Sequence, residues 1–450
     1  MSMPNIKPHA VLLASPGMGH LIPVIELAKC LHTHHGFLVT VVVVTTTSSQ
    51  NLHHISQLSS LNVLTLPPLD VSHKFGPNHS VVVRISLTMI ESVPLLRSSI
   101  LSMNPRPSAL IVDLFGTPAL PMARELGMLS YVFLTSNAWF SALIVYFPVI
   151  DKKMEDRHVI HHEPLRIPSC KSIPFEDTFE PFLNRDGPMY ESFLKRTREI
   201  VSADGILVNT WQDMEPRTIK TLLDRENLGG IVKGAIHFVG PLLTTIESKP
   251  KGKSNNNNVL QWLDAQPVDS VIYVSFGSGG TLSTAQLTEL AWGLELSQQK
   301  FVWVVRPPKE NDSSGTFFNV GKRSRMQRHH GLLARGFRGE DTECGEGGAN
   351  NGVGMVAWPL FAEQRMNARM LTEELKVAVR VNAMRESVVG REEIGKAVRR
   401  IMVEEEGRRI RLRVKELKVS GEKALSKFGS SHESLCQMTK DCLNYLQGSF

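Results

Sequence analysis

The sequence predicts an α/β protein built from two doubly wound domains. Three observations lead there. Short apolar runs rich in β-branched residues alternate with longer amphipathic stretches, which is the rhythm of parallel sheets made of βαβ units. The rhythm restarts in the second half of the chain. Between the halves stands TTIESKPKGKSNNNN (244–258), a Lys- and Asn-rich stretch too polar to pack a core.

Taken in order, HAVLLAS (9–15), LVTVVVVT (38–45), ALIVDLF (109–115), YVFLTS (131–136) and GILVNT (205–210) read as strands buried on both faces. IPVIELAKCLHTHH (22–35), PALPMARELG (118–127) and YESFLKRTREIVSA (190–203) read as the helices between them. The second half opens with SVIYVSFGS (270–278), TAQLTELAWGLELS (284–297) and FVWVVRP (301–307). The expected division is residues 1–242, a linker over 243–258, a second domain over 259–425 and a C-terminal helix within 426–450.

Composition narrows the function classes. The chain has 450 residues, 42% of them hydrophobic, enough for two cores. Five scattered cysteines make no disulfide framework and fit a reducing compartment. A net charge of +6, spread along the chain, favours anionic small molecules without forming a nucleic-acid footprint. No apolar run is long enough for a membrane span, and the N-terminus lacks the apolar core of a secretory signal. The expectation is a soluble, cytoplasmic protein.

In doubly wound sheets, ligands sit beyond the carboxyl ends of the strands. His20 follows the first strand, Asp113 lies in the third and Ser278 follows the first strand of the second half. All three would face one cleft if both sheets point their carboxyl edges inward. Gly17 and Gly19 allow a sharp turn and close approach of a ligand, and an imidazole beside them can accept a proton. A buried carboxylate needs a partner, and His20 would serve Asp113, making the ring a better base. The other reading leaves His20 as a turn residue and Asp113 as the cap of the helix near Pro118.

FGSGG (276–280) between strand and helix is a natural anion site or a plain tight turn. Glu363 and Gln364, in WPLFAEQRMNA (358–368), could hydrogen-bond a polyol or only complement a helix N-terminus. Ile22 stands where a dinucleotide fingerprint needs glycine. His329, His330 and Cys344 are too loosely spaced for a metal set.

These stretches together resemble the plant family-1 UDP-glycosyltransferases of GT-B architecture, above all the members that glucosylate phenols such as hydroquinone and monolignols. The residues carrying the resemblance are PGMGHLIP, IVDLFGTPA, ILVNTWQDMEP, VGPL, WLDAQPVDSVIYVSFGSGGTLS and WPLFAEQRMNA. The resemblance implies two Rossmann-like domains facing across a cleft, with UDP-glucose as co-substrate and neither metal nor other cofactor. It implies a monomer without nucleic-acid partners, acting on a small phenolic acceptor. His20 would deprotonate the acceptor hydroxyl and Asp113 would orient His20. Ser278 would contact the diphosphate, with Trp358, Glu363 and Gln364 in the donor site. The reaction would be a single displacement with inversion, and donors at the phosphates would stabilise the leaving UDP. Gly19, Phe115, Trp139, Phe140 and Tyr146 are the candidates for the acceptor pocket.

The pattern breaks once. Family members carry Trp-Ala-Pro-Gln and His-Cys-Gly-Trp-Asn-Ser stretches upstream of the WPLFAEQ region, and this chain has neither. An Arg- and Gly-rich segment, residues 322–351, stands in their place without strand or helix periodicity, as after a shifted reading frame or a misjoined exon. The absent residues are those that stack on uracil and hold diphosphate and ribose. Each lost charge-assisted hydrogen bond costs roughly 1.5–3 kcal/mol. The second domain should therefore contain a hole where core elements belong, and the alternative function is a small-molecule-binding homologue with part of its UDP site missing.

Overall fold

The computed structural model describes residues 7–45, 61–74, 80–150, 152–242, 257–277, 279–310, 352–385 and 387–448. They form two compact units. The first comprises residues 1–244 together with 420–450, and the second residues 245–419. The C-terminal segment thus returns to the first unit from Ser420 onward, where the sequence reading ran the second domain on to 425.

The first unit holds β1 (His9–Ala14), α1 (Met18–His34), β2 (Leu38–Val43), β3 (Asn62–Thr65), α2 (Val81–Leu101), β4 (Ala109–Asp113), α3 (Leu120–Glu125), β5 (Leu129–Leu134), α4 (Ala138–Tyr146), α5 (Lys152–His161), α6 (Pro188–Val201), β6 (Gly205–Val208), α7 (Pro216–Leu223) and β7 (Ala235–Phe238). The seven strands make one parallel sheet in the order β3-β2-β1-β4-β5-β6-β7. The order reverses between β1 and β4, where Leu13 lies opposite Val112. That is the switch point at which such sheets open a crevice beyond the carboxyl ends of their strands. Every residue of β1 and β4 is buried, as a sheet covered on both faces requires.

β3 and β7 were not foreseen. They are four-residue edge strands, and neither reads as an apolar run. The core on one face of the sheet combines Leu12, Ala14, Leu27, Leu31, Ile111 and Phe133 with Leu435, Met438 and Cys442 of the C-terminal segment. Polar bonds hold that segment too: Trp211 Nε1 donates to Ser420 Oγ at 2.8 Å, Ser431 Oγ to the Gly240 carbonyl at 2.5 Å and Tyr445 OH to the Gly127 carbonyl at 2.9 Å.

The second unit holds α8 (Asn257–Asp264), β8 (Val271–Val274), α9 (Thr284–Ser297), β9 (Lys300–Trp303), β10 (Met355–Ala357), α10 (Gln364–Arg369), β11 (Ala378–Arg380), α11 (Arg391–Met402) and the beginning of α12 (Glu405–Leu425). The last helix, α13 (Ser430–Leu446), belongs to the first unit. α9 and α11 cross closely at Gly293, where a Cβ would stand 2.5 Å from the Cβ of Ile394. Ser283 caps α9 by accepting the Gln286 amide hydrogen at 3.2 Å, as its position before the apolar run suggests.

Among the described residues of this unit, β8 pairs only with β9 and β10 only with β11, both parallel. A cavity of about 840 Å³ is lined by Ile272 and Val274 of β8, Val356 of β10, and Leu290, Leu294 and Ile394 of the helices. The strand residues beside it are only half-buried, whereas β1 and β4 are buried throughout. Residues 322–351, with His329, His330 and Cys344, lie outside the described residues, as does the linker up to 256.

Candidate active site

The chain turns at Ser15, Pro16 and Gly17 after β1. Gly17 takes φ 116°, a conformation that favours glycine, and becomes the N-cap of α1. The helix therefore begins at Met18, four residues before the sequence pattern starts it. Gly19 is buried, and His20 occupies the first turn with its amide nitrogen 3.2 Å from the Gly17 carbonyl. A backbone position at the mouth of the switch point is thus given to an imidazole.

Asp113 ends β4 on the neighbouring strand and is fully buried. His20 Nδ1 stands 3.1 Å from Asp113 Oδ2, with the His20 side chain 13% exposed. The same carboxylate accepts from Ser15 Oγ (2.6 Å) and the Ser15 amide (3.1 Å), and from the amides of Phe115 and Gly116 (3.1 Å each). Asp113 faces His20 and holds the loop after β4, but it does not cap the helix near Pro118: Gly116 and Ala119 stand at the N-cap positions there, neither with a side-chain cap bond. Burial alone would raise its pKa, but His20 and the two Ser15 donors outweigh burial and hold it below the ordinary carboxylate value. It is therefore an anion at neutral pH.

Two neighbours were missed from the sequence. Ser15 binds both oxygens of Asp113, and its only signal was its place at the carboxyl end of a strand. Arg196 of α6 is nearly buried, with its guanidinium carbon 4.7 Å from the centre of the Phe115 ring and Nη2 donating to Ser86 Oγ at 2.7 Å. Burial brings its pKa down to about 10, against the opposing pull of Glu199 and Asp113. Its signal was an arginine on the helix face that also carries Tyr190, Phe193 and Ile200.

Phe115 meets His20 edge-to-face, with ring centroids 5.2 Å apart. Trp139 and Phe140 of α4 are fully packed, Phe140 against Phe179, while Tyr146 is half-buried at the end of the helix.

In the second unit, Ser278 lies outside the described residues. Trp358 stacks edge-on against Phe276 (5.5 Å) and lines the 840 Å³ cavity together with Gln364. Glu363 is the N-cap residue of α10, without a side-chain cap bond. The Gln364 carboxamide oxygen accepts from the amides of Leu360 (2.8 Å) and Phe361 (3.4 Å). The loop Leu360–Glu363 turns back on α10, with Ala362 at φ 53°, and this oxygen holds the turn. What remains for a ligand is mainly the NH₂ group.

Comparison with known proteins accounts for this layout. The family model for UDP-glucoronosyl and UDP-glucosyl transferases matches residues 234–410. The chain is 41% identical to UDP-glycosyltransferase 72E3 of Arabidopsis thaliana, over 98% of this chain and 97% of that protein. It is 35% identical to hydroquinone glucosyltransferase of Rauvolfia serpentina, over 96% of this chain and 97% of that protein. The alignment with the Arabidopsis protein spans 473 positions, and 98% of 450 residues is about 441, so about 32 positions of the relative have no counterpart here. Among solved structures, TcCGT1 bound to UDP superposes with a TM-score of 0.85 at 37% identity, covering 98% of this chain and all of that one. Phytolacca americana UGT2, in complex with UDP-2fluoro-glucose and pterostilbene, gives 0.81 at 34% identity, over 97% and 100%. The chain belongs to the plant family-1 UDP-glycosyltransferases, enzymes of GT-B fold.

Proposed function

We propose that the protein is a UDP-glucose-dependent O-glucosyltransferase acting on small phenolic acceptors, with His20 as base and Asp113 as the residue that positions it. The observation that supports this reading best is the 3.1 Å approach of His20 Nδ1 to an anionic, fully buried Asp113 at the switch point of the first sheet. An anion at Nδ1 keeps the proton on that nitrogen and leaves Nε2 with its lone pair. Nε2 then takes the acceptor's proton as its oxygen attacks the anomeric carbon from the face opposite UDP, and inversion follows. Asp113 stabilises the imidazolium that forms. A phenol, with pKa about 10, suits a neutral imidazole far better than an alkyl alcohol does. The Phe115 ring against His20 offers the acceptor an apolar wall. The name of the Rauvolfia relative, hydroquinone glucosyltransferase, points to the same acceptor class.

A second reading, a homologue that binds acceptors but holds UDP-sugar poorly, is favoured by the separate pairing of β8 with β9 and of β10 with β11 among the described residues, and by the cavity bordered by Trp358 and Gln364. One set of measurements separates the two. Steady-state rates with UDP-glucose and hydroquinone should fall by roughly 100- to 10,000-fold in His20→Ala. Titration calorimetry of the unmodified chain should show UDP binding in the micromolar range. Turnover that survives His20→Ala unchanged would remove the base from the mechanism. Absent UDP binding with intact phenol binding would establish the second reading.

A further inference from the structure

A cluster of metal-binding side chains sits in the first unit, apart from His20 and Asp113, where α13 lies near the C-terminal end of α1. His432 and Cys436 are four residues apart on α13 and so share a face of that helix. His432 Nδ1 is 3.6 Å from Cys436 Sγ and 3.6 Å from Glu433 Oε1. These three residues offer ligand atoms that all lie within 4.8 Å of one another. A fourth group comes from the residue that follows α1: His35 Nδ1 stands 3.9 Å from Cys436 Sγ, and the His35 and His432 rings are 5.2 Å apart.

We propose that His35, His432, Cys436 and Glu433 bind a borderline-soft divalent metal ion, zinc by preference, which ties the C-terminal helix to α1. In a tetrahedral zinc site, bonds of about 2.3 Å to sulfur and about 2.0–2.1 Å to nitrogen place sulfur about 3.6 Å from each nitrogen. The His432–Cys436 separation already has that value, and the His35–Cys436 separation exceeds it by a few tenths of an ångström. The mixed nitrogen, thiolate and carboxylate set suits zinc, and mismatches calcium or magnesium, which prefer all-oxygen shells. His35 has a buried Nε2 with no hydrogen-bond partner among the described residues, so its ring has little structural bonding to lose on turning toward an ion. On binding, the Cys436 thiol loses its proton to solvent and forms the metal–sulfur bond, with no change in oxidation state.

The test uses the full chain, freed of metal by chelator and dialysis, and titrated with Co²⁺ as a spectroscopic stand-in for zinc. The expected result is one equivalent bound, with a thiolate-to-cobalt charge-transfer band and tetrahedral ligand-field bands, both displaced by Zn²⁺. Cys436→Ser should abolish the charge-transfer band, and His432→Ala should weaken Zn²⁺ binding by at least ~10-fold. Zn²⁺ should raise the melting temperature of the unmodified chain and leave that of Cys436→Ser unchanged. Circular dichroism of each variant establishes that it is folded. Cys30 of α1 lies close enough to Cys436 to feel its charge, so Cys30→Ser is the control and should keep the band. Absence of the band in the unmodified chain would overturn the site. So would its persistence in Cys436→Ser, or its loss in Cys30→Ser alone.

Discussion

At the scale of single residues, Asp113 collects four donors besides His20: the hydroxyl and amide of Ser15 and the amides of Phe115 and Gly116. Such a shell makes the charged form the stable one in spite of full burial, and it links stability to pH with a definite sign. A carboxylate whose folded pKa lies below its unfolded value of about 3.9 stabilises the protein fully above that value. The contribution is lost as pH falls from there through the folded-state pKa. Asp113→Asn should therefore be less stable than the unmodified chain at pH 7, and the gap should narrow below about pH 4. Urea denaturation of both proteins across pH 3–8 measures this. A gap that stays constant over the range would show that the charge on Asp113 has no part in stability.

At the scale of elements, the first turn of α4 shows a carboxylate in another use. Asn137 caps the helix by accepting from the Phe140 amide at 2.9 Å. The neighbouring amides of Ala138 (2.8 Å) and Trp139 (3.1 Å) donate to Glu215, which also accepts from Thr210 Oγ1 at 2.8 Å. Glu215 is almost fully buried, and an anion at a helix N-terminus is favoured by the aligned peptide dipoles. Glu215→Ala leaves two buried amides and a hydroxyl without this acceptor, at about 1–3 kcal/mol each. The first unit should lose roughly 3 kcal/mol or more of unfolding free energy, and Glu215→Gln much less; a chemical denaturation series with a first-unit probe decides it. Equal losses for the two would put the effect in volume rather than in hydrogen bonding. Nothing local in ILVNTWQDMEP announces this bond, because it joins residues more than seventy positions apart. The same limit explains the other misses. β1, β4 and the C-terminal helix were legible because long apolar or amphipathic runs report burial directly. α1 was read four residues short because Pro16, Gly17 and Gly19 look like a loop, and only the folded chain shows Gly17 acting as cap. His20 and Asp113 were legible as a pair through their places at two strand ends. Arg196 was not, since an arginine on an apolar helix face gains its meaning from the Phe115 ring and the Ser86 hydroxyl.

At the scale of the whole molecule, the described residues of the two units differ in how their strands are paired and covered. The first has a seven-stranded sheet buried on both faces, and the described residues of the second have two strand pairs bordering a cavity of about 840 Å³. Were that cavity sealed and empty, the mutational scale of about 24 cal/mol per Å³ would assign it a cost of about 20 kcal/mol. That exceeds the roughly 5–15 kcal/mol by which a whole domain is stable. The cavity must therefore be open to water, in keeping with the half-buried residues of β8 and β10 that line it. An apolar, water-accessible recess bordered by Ile272, Val274, Leu290 and Val356 should bind an apolar fluorescent dye in the native state, without acid or denaturant. Amides of β8 and β10 should exchange with solvent through openings well below the global unfolding free energy, while those of β1 and β4 exchange only near it. Hydrogen exchange by mass spectrometry, run beside the dye titration, measures both. Equal protection of β8 and β1, with no dye bound, would mean that the second sheet is continuous in solution and that the recess is closed by other parts of the chain.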